Sequence, residues 1–277
     1  MIAVKQWFRR NAAVGLLAGG AVAVGGCAIS TQQEVQMGQQ YAADINRQLP
    51  IVRDAAVNQY VNQLGRSIAR HGSRQLPYSF YVVNAPQINA FAVPGGHIYV
   101  NRGLIERTRN MSELAGVLAH EISHVEERHG IEQMERMQGA NLGLTVAYVL
   151  LGRAPSGLEN AAINVGGNLW MARHSRGAEN EADARAIPLL VNSGINPEGL
   201  ASFFNVLLAE QQRRPTAVET WFSTHPTTAD RVAHTRSLIA QVPASYRRGL
   251  RTNDSGYASM KARLSRYQAP PAQTRSR

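Results

Sequence analysis

The stretch His120-Glu121-Ile122-Ser123-His124 decides how this sequence of 277 residues is interpreted. On a helix, residues four apart lie one turn apart on the same face, so both imidazoles can hold a single metal ion. Glu121 follows the first histidine, and its carboxylate can take a proton from a water molecule that the ion polarises. The other side of this helix is apolar and can pack against a core, with Leu114, Val117, Leu118 and Val125.

A catalytic zinc ion needs a third protein ligand, and the segment 175–183 offers one. Glu179 and Asp183 again lie four residues apart. We expect Glu179 to complete a His, His, Glu ligand set. We expect Asp183 to accept the N–H of a ligand imidazole, which we assign to His120. Glu181 is a competing ligand, but it lies off the face that Glu179 and Asp183 share. Without the two histidines, a solvated helix face would be the better interpretation of these acids.

The surrounding sequence predicts an α+β domain that is mainly helical, with a small β-sheet. Residues 31–70 carry apolar positions at spacings of three and four, which indicates helices that Pro50 divides. Residues 78–83 are rich in aromatic and β-branched side chains and predict a strand. Two extended pieces, 88–91 and 97–100, flank the turn Pro94-Gly95-Gly96. Helices should begin at Gly103 and at Ser112, where Ser112 is the predicted cap.

An apolar run covers residues 141–151 and is too short to span a bilayer as a helix. We interpret it as a buried helix; a helix that touches membrane or substrate is the alternative. Residues 152–167 have the composition of a loop.

The N-terminus has the features of a lipoprotein signal peptide, residues 1–26. Three basic residues precede an apolar stretch rich in glycine and alanine, which ends at Val24-Gly25-Gly26-Cys27. Cys27 is the only cysteine, so it cannot form an internal disulfide, and lipid attachment gives it a role. Residues 27–33 would then be a lipidated tether. Ala28 favours the outer over the inner membrane, and an anchor helix with an incidental cysteine is the alternative.

The chain carries a net charge of +10, and much of it lies near the C-terminus. Residues 241–277 combine many arginines with prolines and serines, which predicts a basic, disordered tail. Such a tail could contact anionic lipid or an acidic partner. Nucleic acid is not an expected partner, because no aromatic residues alternate with the basic ones.

Several motifs occur in an order that resembles one peptidase family. They are 34–69, Asn89-Ala90-Phe91-Ala92 with Gly95-Gly96, 113–129, Ser175-Arg176 with 179–183, and Ser223-Thr224-His225-Pro226 with Arg231. This order resembles the zinc metallopeptidases that include the CAAX prenyl proteases and HtpX, and is most like their bacterial periplasmic lipoprotein branch (BepA/LoiP-like). The resemblance implies a gluzincin-type metallopeptidase domain, 34–240, with an HExxH active-site helix and one Zn²⁺ per chain.

The resemblance also gives roles to two later residues. His225 would gate the zinc or hydrogen-bond the reacting carbonyl, and Arg231 would stabilise negative charge on that oxygen. From the sequence alone, His225 is equally a loop or capping residue. The remaining histidines have no spacing argument, and we expect them to be structural or on the surface: His71, His97, His129, His174 and His234.

The expected function is zinc-dependent hydrolysis of internal peptide bonds, with Glu121 as the general base. By resemblance, the substrates would be misfolded or unassembled proteins of the bacterial envelope, and the outer-membrane assembly machinery is a possible partner. We expect the protein at the periplasmic face of the outer membrane. A zinc-containing chaperone or assembly factor that cuts little is the first alternative. The second is a structural lipoprotein whose metal has a closed shell of four ligands.

Overall fold

The structure is a computed structural model that describes residues 29–140 and 174–267. The predicted signal peptide, Cys27, the apolar run 141–151 and the loop 152–167 therefore lie outside the described residues. The elements in chain order are α1 (Thr31–Gln48), α2 (Ala55–Ala69), β1 (Ser79–Val83), β2 (Ala90–Val93), β3 (His97–Asn101), α3 (Arg102–Arg107), α4 (Met111–Glu126), α5 (His129–Ala140), α6 (Arg176–Asn192), α7 (Glu198–Arg213), α8 (Pro215–Thr224), α9 (Ala229–Gln241), α10 (Ala244–Arg247) and α11 (Ser255–Leu264).

The three strands form one small sheet in the order β1-β3-β2. β1 runs parallel to β3, and β2 runs antiparallel to it. Gly95 and Gly96 make the turn between β2 and β3 with φ of 80° and 95°, a backbone conformation that glycine adopts without strain. The predicted strand, the two extended pieces and the turn are thereby confirmed, as is the mainly helical α+β class.

Helix α4 lies at the centre of the domain, because all sixteen of its residues are buried. The sheet residues Phe80, Val82, Ile98 and Val100 belong to the same core as Leu114 and Leu118 of α4. Phe203 and Phe204 of α7 join this core as well. A helix that is buried all round is held by its neighbours, so the position of any side chain on α4 is fixed by packing.

The start of α4 differs from the prediction by two residues. Asn110, rather than Ser112, is the cap, because its Oδ1 accepts a hydrogen bond from the Glu113 backbone N–H at 3.0 Å. Ser112 lies in the first turn and donates its hydroxyl to Asn110 Oδ1 at 2.9 Å. Asparagine is as good a cap as serine, and the sequence offered both within three residues.

The prediction of a disordered tail is wrong over residues 241–267. This stretch contains α10 and α11, and Asp254 caps α11 by accepting hydrogen bonds from the N–H groups of Gly256 and Tyr257. Tyr257, Met260 and Leu264 are buried in the main core. Their spacing of three and four residues gives α11 one apolar face, while its basic residues occupy other positions. Residues 268–277 lie outside the described part of the chain.

Gly116 lies where α4 and α7 approach each other closely. A Cβ atom at Gly116 would lie 2.7 Å from both the backbone N and Cα of Leu200. We therefore expect Gly116→Ala to destabilise the protein by about 1–3 kcal/mol, measured by urea unfolding, because helix α7 must move to admit the methyl group. Gly177→Ala is the matched control on α6, since its Cβ would meet only Ser175 Oγ at 3.7 Å. The control should be neutral or stabilising by up to about 1 kcal/mol. Equal stability of the two variants would contradict this packing.

Candidate metal centre

Helix α4 presents His120, Glu121 and His124 to one buried point. The exposed fractions of these residues are 0%, 1% and 3%. His120 Nε2 lies 3.0 Å from His124 Nε2, so the two imidazoles turn the same nitrogen toward each other across one helical turn. The two histidine side chains, which their spacing of four residues predicts to share one helix face, therefore meet at one point.

Helix α6 crosses α4 and brings two carboxylates to the histidines. Ser175 begins α6 by accepting a hydrogen bond from the Ala178 N–H at 3.1 Å, which places Glu179 in the first turn. Glu179 Oε1 lies 3.4 Å from His124 Nε2, and Glu179 Oε2 lies 3.6 Å from His120 Nε2. One carboxylate therefore contacts both imidazoles. Glu181 lies apart from this group, and its side chain is 59% exposed.

Asp183 lies behind His120, one turn along α6 from Glu179. Its Oδ1 is 2.9 Å from His120 Nδ1, and its side chain is fully buried. A carboxylate at this position accepts the Nδ1–H of a neutral imidazole. His120 Nε2 then carries the lone pair that points toward His124 and Glu179.

His225 reaches the same point from the end of α8. Its Nδ1 lies 3.0 Å from Glu179 Oε1 and 3.4 Å from His120 Nε2. Its Nε2 lies 3.6 Å from Glu121 Oε1. The ring packs against Trp221 with 4.8 Å between ring centroids. The sequence alone left His225 open as a loop residue, and the structure places it inside the cluster.

Four potential ligands thus converge, with one donor atom from each lying within 4.8 Å of the others: His120, His124, Glu179 and His225. All four residues are buried. We call these four residues the ligand cluster.

The charges around the ligand cluster fit a divalent cation. Glu121, Glu179 and Asp183 are three buried carboxylates, and among the described residues Arg231 is the one guanidinium buried between them. If the three carboxylates are ionised and Arg231 alone is positive, the group carries an excess of two negative charges. Burial would lower the pKa of His225, but Glu179 and Glu121 outweigh it and raise the pKa, and a protonated His225 reduces the excess to one. A buried excess of either size needs compensation. Glu121 Oε1 is buried and accepts no hydrogen bond from the described part of the chain. Two imidazoles with a carboxylate form a typical donor set for zinc, so the residues present fit such an ion.

Arg231 holds the two carboxylates of α6. Its Nε and Nη2 donate to the two oxygens of Asp183 at 2.7 and 2.8 Å, and its Nη1 contacts Glu179 Oε2. Nη1 also donates to the Pro226 carbonyl at 3.1 Å. The guanidinium lies over the Phe204 ring at 4.5 Å. The predicted role, stabilising charge on a reacting oxygen, does not fit this geometry, because the N–H groups are directed at protein acceptors.

The pKa values at the centre follow from burial and from these charges. Burial lowers the pKa of His124 well below its usual range, so the imidazole is neutral and can act as a ligand. Burial would raise the pKa of Glu179, but the positive neighbours His225 and Arg231 outweigh it and hold the pKa well below the ordinary value. Burial raises the pKa of Glu121, and its positive neighbours offset this only in part.

Two histidines that the sequence analysis assigned to structure or surface lie at the centre instead. His129 is buried, and its Nδ1 lies 2.9 Å from His124 Nδ1. The His174 ring stacks on the His124 ring at 4.1 Å, and burial lowers the pKa of His174 to about 3. Helical spacing could not reveal His129, because Arg128 has a positive φ of 60° and breaks the helix between α4 and α5. His174 lies fifty residues after His124 in the sequence, so no spacing rule connects it with α4.

A cleft opens beside the centre, between strand β2 and helix α5. Its walls include Ala92 and Val93 of β2, and Ile131 of α5. His124 and His174 line the same cleft. A chain segment lying in this cleft would therefore run between the sheet edge and the ligand cluster.

A buried helix with two ligand histidines and an adjacent glutamate, completed by a glutamate from a later helix, defines a gluzincin-type metallopeptidase domain. Residues 53–239 match peptidase family M48. The chain belongs to this family.

Named relatives agree with the family. The chain is 34% identical to the beta-barrel assembly-enhancing protease of Yersinia pestis, covering 78% of this chain and 46% of that protein. It is 29% identical to the metalloprotease LoiP of Escherichia coli strain K12, covering 82% of this chain and 88% of that protein. It is 28% identical to the mitochondrial metalloendopeptidase OMA1 of Schizosaccharomyces pombe, covering 62% and 50%. The chain spans about half the length of the beta-barrel assembly-enhancing proteases that it matches.

Replacing Arg231 with an uncharged residue tests whether it is the counter-ion of Asp183 and Glu179. We expect Arg231→Met to destabilise the metal-free protein by about 3–5 kcal/mol, because Asp183 and Glu179 lose their buried counter-ion. Urea unfolding with a chelator present measures this. Arg236→Met, on the exposed side of α9, is the control and should change stability little. A destabilisation no larger than that of the control would contradict the role given to Arg231.

Proposed function

We propose that this chain is a zinc-dependent endopeptidase of the bacterial cell envelope, which hydrolyses internal peptide bonds of misfolded or unassembled envelope and outer-membrane proteins. The observation that carries the proposal is the position of Glu121 beside the ligand cluster, where one buried carboxylate oxygen accepts no hydrogen bond from any residue that the structure describes. A site built only to hold an ion has no need of such a group.

His120, His124 and Glu179 would hold the zinc ion. Bound there, the ion supplies the positive charge that polarises a water molecule and the scissile carbonyl. Asp183 keeps the lone pair of His120 Nε2 directed at the cluster, and Arg231 keeps both α6 carboxylates in place.

Glu121 would act as the general base and then as the general acid. It takes the proton of the attacking water and passes it to the leaving amine. Its raised pKa, caused mainly by burial, suits both steps, because a base with a very low pKa would not accept the proton. Burial of the residues around it keeps bulk water away from the proton that is transferred.

Strand β2 would align the substrate. Within the described residues, β2 lies at one edge of the sheet and pairs with β3 alone. An extended peptide in the cleft could therefore add as a further strand, with its backbone hydrogen-bonded to β2. Backbone pairing depends little on side chains, which suits unfolded segments of varied sequence. The relatives named for assembly of beta-barrels support substrates among outer-membrane proteins.

The alternative function is a chaperone or assembly factor that binds envelope proteins through the same cleft and cuts them little. The name of the similar proteins, assembly-enhancing, favours this alternative in part. A structural lipoprotein with a closed four-ligand shell is the other alternative, because His225 lies within the ligand cluster.

The location that we propose is the periplasmic face of the outer membrane, with a lipid on Cys27. In the part of the chain that the structure describes, no helix is both long and apolar enough to cross a bilayer. Under this proposal the lipid would hold the chain at the membrane, and basic residues near the C-terminus could add contacts with anionic lipid.

Replacing Glu121 tests the chemistry. We expect Glu121→Gln to retain about one zinc per chain but to cleave a disordered protein such as casein about 10²–10⁴-fold more slowly, because the amide cannot accept the proton. Glu219→Gln, at an exposed position of α8, is the matched control and should cleave normally. Normal cleavage by Glu121→Gln would exclude the mechanism. Rescue of a deletion strain by Glu121→Gln would favour the chaperone.

Replacing His225 tests whether it restrains the enzyme. Since its Nδ1 lies among the ligand atoms, we expect His225→Ala to keep its zinc and to cleave casein faster. The gain should equal roughly the reciprocal of the fraction of molecules in which His225 has left the cluster. Loss of cleavage with zinc retained would instead assign His225 a catalytic role, and loss of zinc would assign it a structural one.

Replacing Cys27 tests the anchor. We expect the full chain produced in a bacterium to enter the outer-membrane fraction and to incorporate labelled fatty acid. Cys27→Ser should lose the label and leave that fraction, because the thiol is the attachment point. Ser30→Ala, three residues along the chain, is a control for unrelated effects on export. Retention of Cys27→Ser in the outer membrane would contradict lipid anchoring.

A further inference from the structure

His124 has a second contact that the proposed mechanism does not use. Its Nε2 faces the ligand cluster, at 3.0 Å from His120 Nε2 and 3.4 Å from Glu179 Oε1. Its other nitrogen, Nδ1, lies 2.9 Å from His129 Nδ1. The far side of the His129 ring, Nε2, lies 3.3 Å from Glu181 Oε2. Three side chains, His124, His129 and Glu181, therefore form one line from the ligand cluster to the protein surface.

The protons along this line have only one consistent arrangement when the rings are neutral. A ligand nitrogen must keep its lone pair, so the His124 proton has to be on Nδ1. His129 Nδ1 must then accept that proton's hydrogen bond. The proton of His129 consequently lies on Nε2, where it can be donated to the Glu181 carboxylate.

We propose that His129 and Glu181 are positioning residues, which fix the Nδ1–H tautomer and the ring orientation of His124 by this line of hydrogen bonds. The inference rests on the proposed zinc site. His120 obtains the same orientation directly from Asp183, at 2.9 Å. On the side of His124 the carboxylate is that of Glu181, which lies at an exposed position of α6. The imidazole of His129 lies between Glu181 and His124 and connects them.

The backbone holds His129 in this place. Arg128 has a left-handed φ of 60°, so the helix breaks after α4, and α5 begins at His129, whose Nδ1 faces His124. Arg128 Nη1 donates to the buried Glu34 at 2.7 Å, and its Nη2 donates to the Ile29 carbonyl at 2.6 Å. An unfavourable backbone conformation that is held by a partly buried ion pair indicates that the turn is needed to place His129.

The two positioning residues should differ in their contributions. The exposed fraction of His129 is only 3%, so its hydrogen bond to His124 is shielded from solvent. The side chain of Glu181 is 59% exposed, and its contact with His129 is screened by water. Most of the effect should therefore come from His129.

Zinc affinity, measured by competition with a chromophoric chelator, tests the proposal apart from activity. We expect His129→Ala to bind zinc about 10–100-fold more weakly. His129→Asn should retain most of the affinity, because its amide oxygen can accept the hydrogen bond from His124 Nδ1–H at the same distance along the side chain. His234→Ala, an exposed histidine on α9, is the control and should bind as the wild type does.

The tautomer is measured by ¹⁵N NMR of the histidine-labelled, zinc-loaded protein. The wild type should show a proton on His124 Nδ1 that exchanges slowly with water, and His129→Ala should lose this slow exchange. A protein that is merely less stable would not change the tautomer of one ring. Unchanged zinc affinity together with unchanged exchange at His124 in His129→Ala would overturn the proposal.

A double-variant comparison decides the role of Glu181 and remains informative if His129→Ala does not fold. Glu181→Gln should weaken zinc binding by about threefold in the wild type, as expected for an exposed charged contact, and should have no effect in the His129→Asn background. Equal effects in both backgrounds, including none in either, would overturn the relay.

If the wild type binds no zinc at all, the proposed function fails. If the wild type binds zinc and cleaves normally while His129 has no influence on zinc affinity, only this inference fails.

Discussion

The buried ion pair of Arg231 with Asp183 supports the whole centre. It joins α9 to α6, and Asp183 also contacts His120 of α4, so three helices meet at one carboxylate. Because Arg231 reaches Glu179 as well, the same guanidinium holds the third candidate ligand against the two histidines. Charges buried to this extent cost free energy unless they are paired. The centre keeps more negative than positive charge, which creates a strong electrostatic preference for a cation at the ligand cluster.

The rest of the fold can be understood as a frame for one helix. Helix α4 is buried on all sides, with the sheet, α6 and α7 packed around it, and the close approach at Gly116 leaves no space for movement. Such packing fixes the directions of His120, Glu121 and His124 before any ligand arrives, and preorganisation of this kind is what lets a site act on a reaction rather than adapt to it. In the function that we propose, the cleft beside β2 would give the substrate its direction relative to that fixed centre.

Much of the centre could be predicted from local spacing, because residues four apart on a helix share a face whatever else the protein does. His120 with His124 and Glu179 with Asp183 are both of this kind. The missing parts depend on tertiary structure. His129 was concealed by the left-handed turn at Arg128, and the two carboxylates that pair with Arg231 lie about fifty residues away in the sequence. The prediction of a disordered tail was based on its basic composition and gave too little weight to three apolar residues, Tyr257, Met260 and Leu264. These residues are buried because α11 packs against α2 and α3, which the tail sequence does not reveal.

The most direct test of the central claim is the position of the metal in a crystal of the full chain, from X-ray diffraction recorded on both sides of the zinc absorption edge. We expect one anomalous peak per chain, bonded to His120 Nε2, His124 Nε2 and a Glu179 oxygen at about 2.0–2.2 Å. A peak at another place, or a ligand cluster without any peak in zinc-loaded crystals, would contradict it.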